Sequence, residues 1–309
     1  MKIAIIGQQD FGKATLDAFL NRGDEVAGVF CAPEKEGAKP DPLRVLAQEK
    51  GLRIFQFPSL KTPEAEAAMR ELNVDIGVMA FVLQFAPQAF VNIPKHGTIQ
   101  YHPSLLPKYR GPSSINWPIS RGETETGLTI FRPTDGLDEG AVILQKKTAI
   151  SENDTLGTVY FDRLFPMGVA AMVEAAELVV AGKHTEVIQD ESLATYEGWF
   201  RANEAKINWH NHVDVIHNLI RGCDPAPGAW TTLAGKKVQL FASKKHPART
   251  FGAVKGKPGE VTVIADSMFI SAQGGQIEVG KLKHEDGKKV GAAEFAQAFG
   301  VQPGTLLGN

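Results

Sequence analysis

The chain has 309 residues, 43% of them apolar, which is more than one core usually organises, so two domains are expected. Its formal charge of -2 excludes a protein that coats nucleic acid, and the dispersed 31 glycines and 18 prolines exclude repeat and low-complexity architectures. The balance is uneven: from Ile207 onward twelve Lys and Arg face eight Asp and Glu, leaving twenty-one against twenty-seven before it, so any affinity for a polyanion belongs to the C-terminal part. The opening MKIAIIG turns polar at GQQD, too soon for a signal peptide or a membrane span, and a cytoplasmic location is expected. Cys31 and Cys223, alone and far apart, read as small apolar residues rather than a disulfide or metal pair.

Lys2 to Ile6 is a short apolar run, and Gly12 to Leu20 carries apolar residues at helical spacing, predicting strand, turn and helix. Residues 26–30 read as a strand, 43–50 as a helix, 54–57 as a strand, 64–72 as a helix and 76–82 as another apolar strand. This alternation predicts an α/β fold with a doubly wound, Rossmann-like and mostly parallel sheet, helices on both faces, and a ligand beyond the carboxyl ends of the strands. GTIQYH is a further strand, 114–120 a helix, and GLTIFRP and AVILQKKT two strands around the turn TDGLDEG. The longest helical pattern, 158–181, closes a first domain over 1–188; the polar stretch 189–206 reads as a linker. From 207 to 309 a helix at 213–220 precedes the turn-rich RGCDPAPGAW, and KKVQLFA, GEVTVIA, MFISA and QIEVGKLK then predict a smaller β-barrel, OB-like, or a sandwich.

The turn GQQDFG lacks the third glycine of a dinucleotide fingerprint and is expected to be a tight strand-to-helix turn rather than an NAD or ATP site. More chemistry is concentrated in YHPSLLPKYRG, where His102 ends a strand, and in GLDEG, where Asp138 sits in a turn. A histidine and a carboxylate meeting at one rim of the sheet form an acid and base pair; equally, they are a loop histidine and a turn aspartate bonded to backbone. His210 and His212 alternate at the start of a helix and read as surface and cap residues, with no metal expected. Lys108 and Arg110 meet an anionic substrate group or are solvated loop cations, and the Lys pairs at 236, 244 and 288 read as soluble strand edges.

TIQYHPSLLPKYRGPSSINW followed by GLTIFRPTDGLDEGAVILQ resembles the core of the folate-dependent formyltransferase family, and AKINW, VIHNLIRG and PAPGAW extend the likeness downstream. Within that family the chain is most similar to the hydrolase domain of 10-formyltetrahydrofolate dehydrogenase, and next to methionyl-tRNA formyltransferase. The resemblance implies transfer of a formyl group from 10-formyltetrahydrofolate through a tetrahedral intermediate. His102 would stabilise or protonate the oxyanion and Asp138 would deprotonate the nucleophile. The pterin would lie between Phe81, Val82, Leu83, Gln84 and Phe85 on one side and Asp135, Leu137 and Asp138 on the other, with Ser104, Leu105 and Leu106 walling the aminobenzoyl portion. Gln100 stands where the transferases of the family carry asparagine, its amide displaced by about an ångström, and where the dehydrogenase's hydrolase domain carries an aliphatic residue. It either holds the formyl oxygen or is a spectator.

The resemblance leaves the acceptor open. Water is the expected acceptor, giving a hydrolase; methionyl-tRNA is the alternative, disfavoured because the loop CAPEKEGAKPDPL at 31–43 has a net charge of -1 where the tRNA enzymes carry a longer basic loop. An amino sugar, or a non-catalytic folate-binding module, are further alternatives. No carrier or aldehyde-dehydrogenase domain accompanies these residues, so no NAD(P) chemistry is expected of them.

Overall fold

The computed structural model describes residues 1–250 and 252–308. Internal contacts divide the chain into two units: Met1–Gly111, Gly127–Thr148 and Arg163–Tyr196 form the first, and Pro112–Thr126, Ala149–Asp162 and the chain from Glu197 form the second. The segments 112–126 and 149–162, inside the expected span 1–188, thus group with the second unit, and 189–196 of the expected linker with the first.

In the first unit β1 (Lys2–Gly7) leads to α1 (Gln9–Asn21), β2 (Glu25–Phe30), α2 (Pro42–Glu49), β3 (Ile54–Phe55), α3 (Pro63–Leu72), β4 (Ile76–Ala80), α4 (Gln88–Val91) and β5 (Thr98–His102). Asp41 and Thr62 cap α2 and α3 through side-chain oxygens, with a proline following each, the expected chemistry of a helix start. The sheet has seven strands in the order β3-β2-β1-β4-β5-β6-β7, where β6 is Glu125–Phe131 and β7 is Val142–Ala149. Strands β1 to β5 pair in parallel, whereas β6 runs antiparallel to β5. Alternate residues of β1 feed two cores: Ile3 and Ile5 pack with Phe11, Leu16 and Ala171 on one face, Ala4 and Ile6 with Met69 and Phe90 on the other.

The strand order reverses between β1 and β4, the position where such sheets open a crevice. Gly7 at the end of β1 is backed so closely by β4 that a Cβ there would meet Ala80 O at 2.1 Å, which only glycine avoids. Strand 76–82 ends early, at Ala80, because Phe81 turns left-handed with φ 60°.

The second unit contains the short helices α5 (Asn116–Ser120) and α6 (Leu156–Val159). The single helix expected over 158–181 is instead α6, a π-helical turn at Tyr160–Leu164, and α7 (Phe165–Val180). Pro166 sits in the first turn of α7, where its missing N–H interrupts the preceding ladder. Beyond it lie α8 (Val213–Gly222), β8 (Ala229–Leu233), β9 (Lys236–Pro247), β10 (Val261–Ile264), β11 (Met268–Ala272), β12 (Gly275–His284), β13 (Lys289–Gly291) and α9 (Ala292–Phe299). The expected barrel region is an antiparallel sheet in the order β10-β11-β12-β9-β8, with β13 on β12. One core of its own, including Trp209, Ile216, Leu240, Ile277 and Phe295, joins the sheet to α8 and α9. Helices α4 and α9 and strand β8 were not expected: the first two are short, and β8 follows directly on a proline-rich turn. Among the described residues no helix is long and apolar enough to cross a membrane.

Candidate active site

Strand β5 carries Thr98, Gln100 and His102 on one face and Ile99 and Tyr101 on the other. The latter two enter the core beneath α1 and α7, where Tyr101 stacks on Phe11 at 4.3 Å between ring centroids. His102 is buried, and its Nε2 lies 2.8 Å from the Tyr109 carbonyl. A carbonyl can only accept, so Nε2 carries the hydrogen and Nδ1 is the nitrogen left for chemistry. Nδ1 faces Asp138 Oδ2 at 3.6 Å, and both side chains are 8% exposed. The same carboxylate oxygen accepts the Gly111 N–H at 2.9 Å.

The pair expected from the sequence is therefore brought together, by a route that parallel strand ends do not supply. Phe131 at the end of β6 lies opposite Gln100, and Thr129 opposite His102, so the turn leaves the sheet below the histidine and folds back along β5 to deliver Asp138. That turn is tight: Asp138 has φ 53°, a left-handed conformation costing a non-glycine residue on the order of 1 kcal/mol or more. A Cβ on Gly140 would lie 1.6 Å from Arg132 O.

Gln100 is half-buried on the same face as His102, and its side chain makes no hydrogen bond among the described residues. It stands with an unengaged amide two residues from the histidine.

The residues expected to line a folate slot occupy two adjoining loops. Phe81, Leu83 and Phe85 are exposed, Val82 is half-buried, and Gln84 donates to the carbonyls of Phe57 at 2.8 Å and Pro58 at 3.1 Å. Asp135 Oδ1 accepts the Gln88 N–H at 2.9 Å and so ties the turn to the segment after β4, while Leu137 is 52% exposed beside the buried Asp138. Ser104 is wholly buried, its hydroxyl donating to the Lys108 carbonyl at 2.7 Å, and Leu106 is buried too, leaving Leu105 as the half-buried residue of the three. Thr129 and Gln145 fix this loop: Gln145 donates to Leu106 O at 2.7 Å, and Thr129 Oγ1 donates to Ser104 O at 2.7 Å and accepts the Leu106 N–H at 3.1 Å.

Arg110 corrects both readings given to it. It is neither solvated nor free to meet a substrate anion, being 8% exposed and bonded to Glu191 at 2.6 and 3.0 Å and to Gln189 Oε1 at 2.9 and 3.2 Å. The Glu191 carboxylate raises the Arg110 pKa, and the guanidinium holds that of Glu191 below its ordinary value. Lys108 remains exposed. His212 is the cap of α8, its Nδ1 accepting the Asp214 N–H at 3.3 Å. Among the described residues no three His, Cys, Asp or Glu side chains gather where they could hold a metal. Both thiols are buried, which pushes each up to about 12. Gln189, Thr129 and Gln145 carry no charge, and although Thr129 and Gln145 lie in the stretch GLTIFRPTDGLDEGAVILQ, nothing in the sequence alone gives any of the three a role.

A family described as formyl transferase matches residues 1–176, and its C-terminal domain matches residues 200–300. The chain belongs to the formyl transferase family. It is 38% identical to human mitochondrial 10-formyltetrahydrofolate dehydrogenase over 96% of its own length, and spans 33% of that protein. It is 33% identical to methionyl-tRNA formyltransferase of Geobacter metallireducens, covering all of this chain and 99% of that enzyme. Among solved structures, HypX from Aquifex aeolicus in complex with tetrahydrofolic acid superposes with a TM-score of 0.67 at 21% identity, over 97% of this chain and 47% of that one. WlaRD, a sugar 3N-formyl transferase, superposes with a TM-score of 0.69 at 19% identity, over 93% of this chain and 99% of that one. These two likenesses show a shared fold. The family match makes the chain a formyl-transferring enzyme.

Proposed function

We propose that the chain takes the formyl group from N10 of 10-formyltetrahydrofolate and delivers it to water, releasing formate and tetrahydrofolate. The observation that carries this reading is the His102 and Asp138 pair at 3.6 Å, set on the same face of β5 as an unengaged Gln100. Asp138 takes a proton from the attacking water as the new C–O bond forms. His102, carrying a proton on Nδ1 as well as on Nε2, donates from Nδ1 to the developing oxyanion, its orientation fixed by the Tyr109 carbonyl. The proton then passes to N10, the C–N10 bond breaks, and tetrahydrofolate leaves as a neutral amine. The pterin is held between the loops at 81–85 and 135–138, and Leu105 faces the aminobenzoyl portion. The catalytic part is 1–188, joined through 189–206 to a C-terminal domain at 207–309, and the work is cytoplasmic, without metal or NAD(P).

Support for water comes from the 38% identity to 10-formyltetrahydrofolate dehydrogenase and from Gln100, whose amide reaches about one bond length beyond the asparagine position. Methionyl-tRNA as acceptor is the second reading, favoured by the end-to-end match to a methionyl-tRNA formyltransferase. The 31–43 loop stands against it: of its three acids Glu34 is engaged by Arg44 and by the Asp41 N–H, Asp41 accepts from Leu43 and Gln9, and Glu36 is exposed, so the loop offers no net positive charge to a phosphate backbone. Turnover of 10-formyltetrahydrofolate in oxygen-18 water tests the choice. Labelled formate in step with tetrahydrofolate supports hydrolysis; no tetrahydrofolate without an added acceptor contradicts it.

A further inference from the structure

The stretch that reads as a linker does more than connect. Gln189 is 6% exposed, and its single amide nitrogen donates at 2.8 Å to two carbonyls of the folded-back turn, those of Asp138 and Gly140. Its amide oxygen accepts two N–H groups of Arg110, whose far side is clamped by Glu191. Six residues on, Thr195 closes a second set of bonds: its hydroxyl accepts the Tyr109 N–H at 2.8 Å, its carbonyl accepts the Arg110 N–H at 2.9 Å, and its N–H donates to Pro107 O at 3.1 Å. Tyr109 is the residue whose carbonyl orients His102. One short segment, Gln189 to Thr195, is therefore bonded both to the turn that presents Asp138 and to the loop that anchors His102.

We propose that Gln189 is a positioning residue that sets the separation of Asp138 from His102. The inference rests on those two side chains being the reacting pair. The physical need is plain: the turn leaves the sheet beside Gln100 and must be held up against β5, and Asp138 must be kept left-handed. The two hydrogens of one buried amide fix the peptide planes that follow Asp138 and Gly140. An apolar side chain of the same length would leave the two carbonyls and the guanidinium without these partners.

The test uses the full chain, with Gln189→Met to remove all four bonds at similar volume and Gln189→Glu to keep the Arg110 partner while losing both donors. Turnover of 10-formyltetrahydrofolate is measured against pH beside His102→Ala, with cooperative melting as a check on folding. The expected result is a loss of tenfold or more in kcat in both variants with KM within about twofold, and a kcat–pH profile displaced from that of the parent. A kcat within twofold of the parent in a folded variant overturns the proposal. Loss of the cooperative melt in both variants overturns it as well, since Gln189 would then serve the fold alone. If His102→Ala retains parental turnover, the reading of the reacting pair has failed instead, and the two failures are distinct.

Discussion

Asp138→Asn separates the charge of the reacting pair from its geometry. Asparagine keeps an oxygen for the Gly111 N–H and is among the residues that best tolerate φ 53°, so the turn loses no bond and gains no strain. What disappears is a negative charge 3.6 Å from His102 Nδ1, with both side chains 8% exposed. At an effective dielectric of about 20, unit charges at that distance attract by about 4–5 kcal/mol, worth roughly three decades in rate if the imidazole is fully charged in the transition state. Half-developed charge leaves roughly two decades, and the lost base adds to either figure. The expected outcome is a fall in kcat of at least about a hundredfold with a melting temperature close to the parent's. Steady-state tetrahydrofolate release and calorimetry measure the two quantities. A folded Asp138→Asn protein within tenfold of parental kcat would refute the assignment of Asp138.

Four further outcomes are expected. Gln100→Leu leaves hydrolysis within about threefold, whereas Gln100→Asn raises formyl transfer to an added amine, read by product chromatography; a collapse of hydrolysis in Gln100→Leu would show that its amide holds the formyl oxygen. Gly140→Ala must displace the Arg132 carbonyl, 1.6 Å from the new Cβ, and costs roughly 3 kcal/mol or more by urea unfolding. The Asp41 N–H, with Arg44 and Gln56, lowers Glu34 to about 2. Because its folded value is depressed, its stabilisation is present above about 4.5, the ordinary carboxylate value, and is lost as pH falls toward 2. Glu34→Gln should flatten the pH dependence of unfolding across that window. Cys31 and Cys223, pushed up to about 12 by burial, stay unreactive to a disulfide reagent at neutral pH in the native protein and both react once it is unfolded.

Periodicity made the first unit legible. Alternating runs such as IAII and the capped starts at Asp41 and Thr62 carry their own conformational signal, and so the sheet, its helices and the rim bearing His102 follow from local chemistry. The direction of β6 does not, because its apolar run suits either orientation, and with it goes the reason that Asp138 must be folded back. Pro166 was visible in the sequence, yet an apolar pattern on both sides of it reads as one helix. The least legible residues are uncharged polar ones that act through backbone groups: Gln189, Thr195 and Thr129 have partners distant in sequence, and burial alone gives them weight. Arg110 is legible as a cation and not as a buried one, since a cation in a glycine-flanked loop announces neither its burial nor the carboxylate 81 residues away that neutralises it.

Formyl transfer to water is the reaction proposed for this chain. Its most direct measurement is tetrahydrofolate release from 10-formyltetrahydrofolate with and without charged initiator tRNA, beside His102→Ala. Turnover that is independent of tRNA and abolished in the variant is the predicted result. Turnover only with tRNA, accompanied by formylmethionyl-tRNA, would contradict it and make the acceptor an amine.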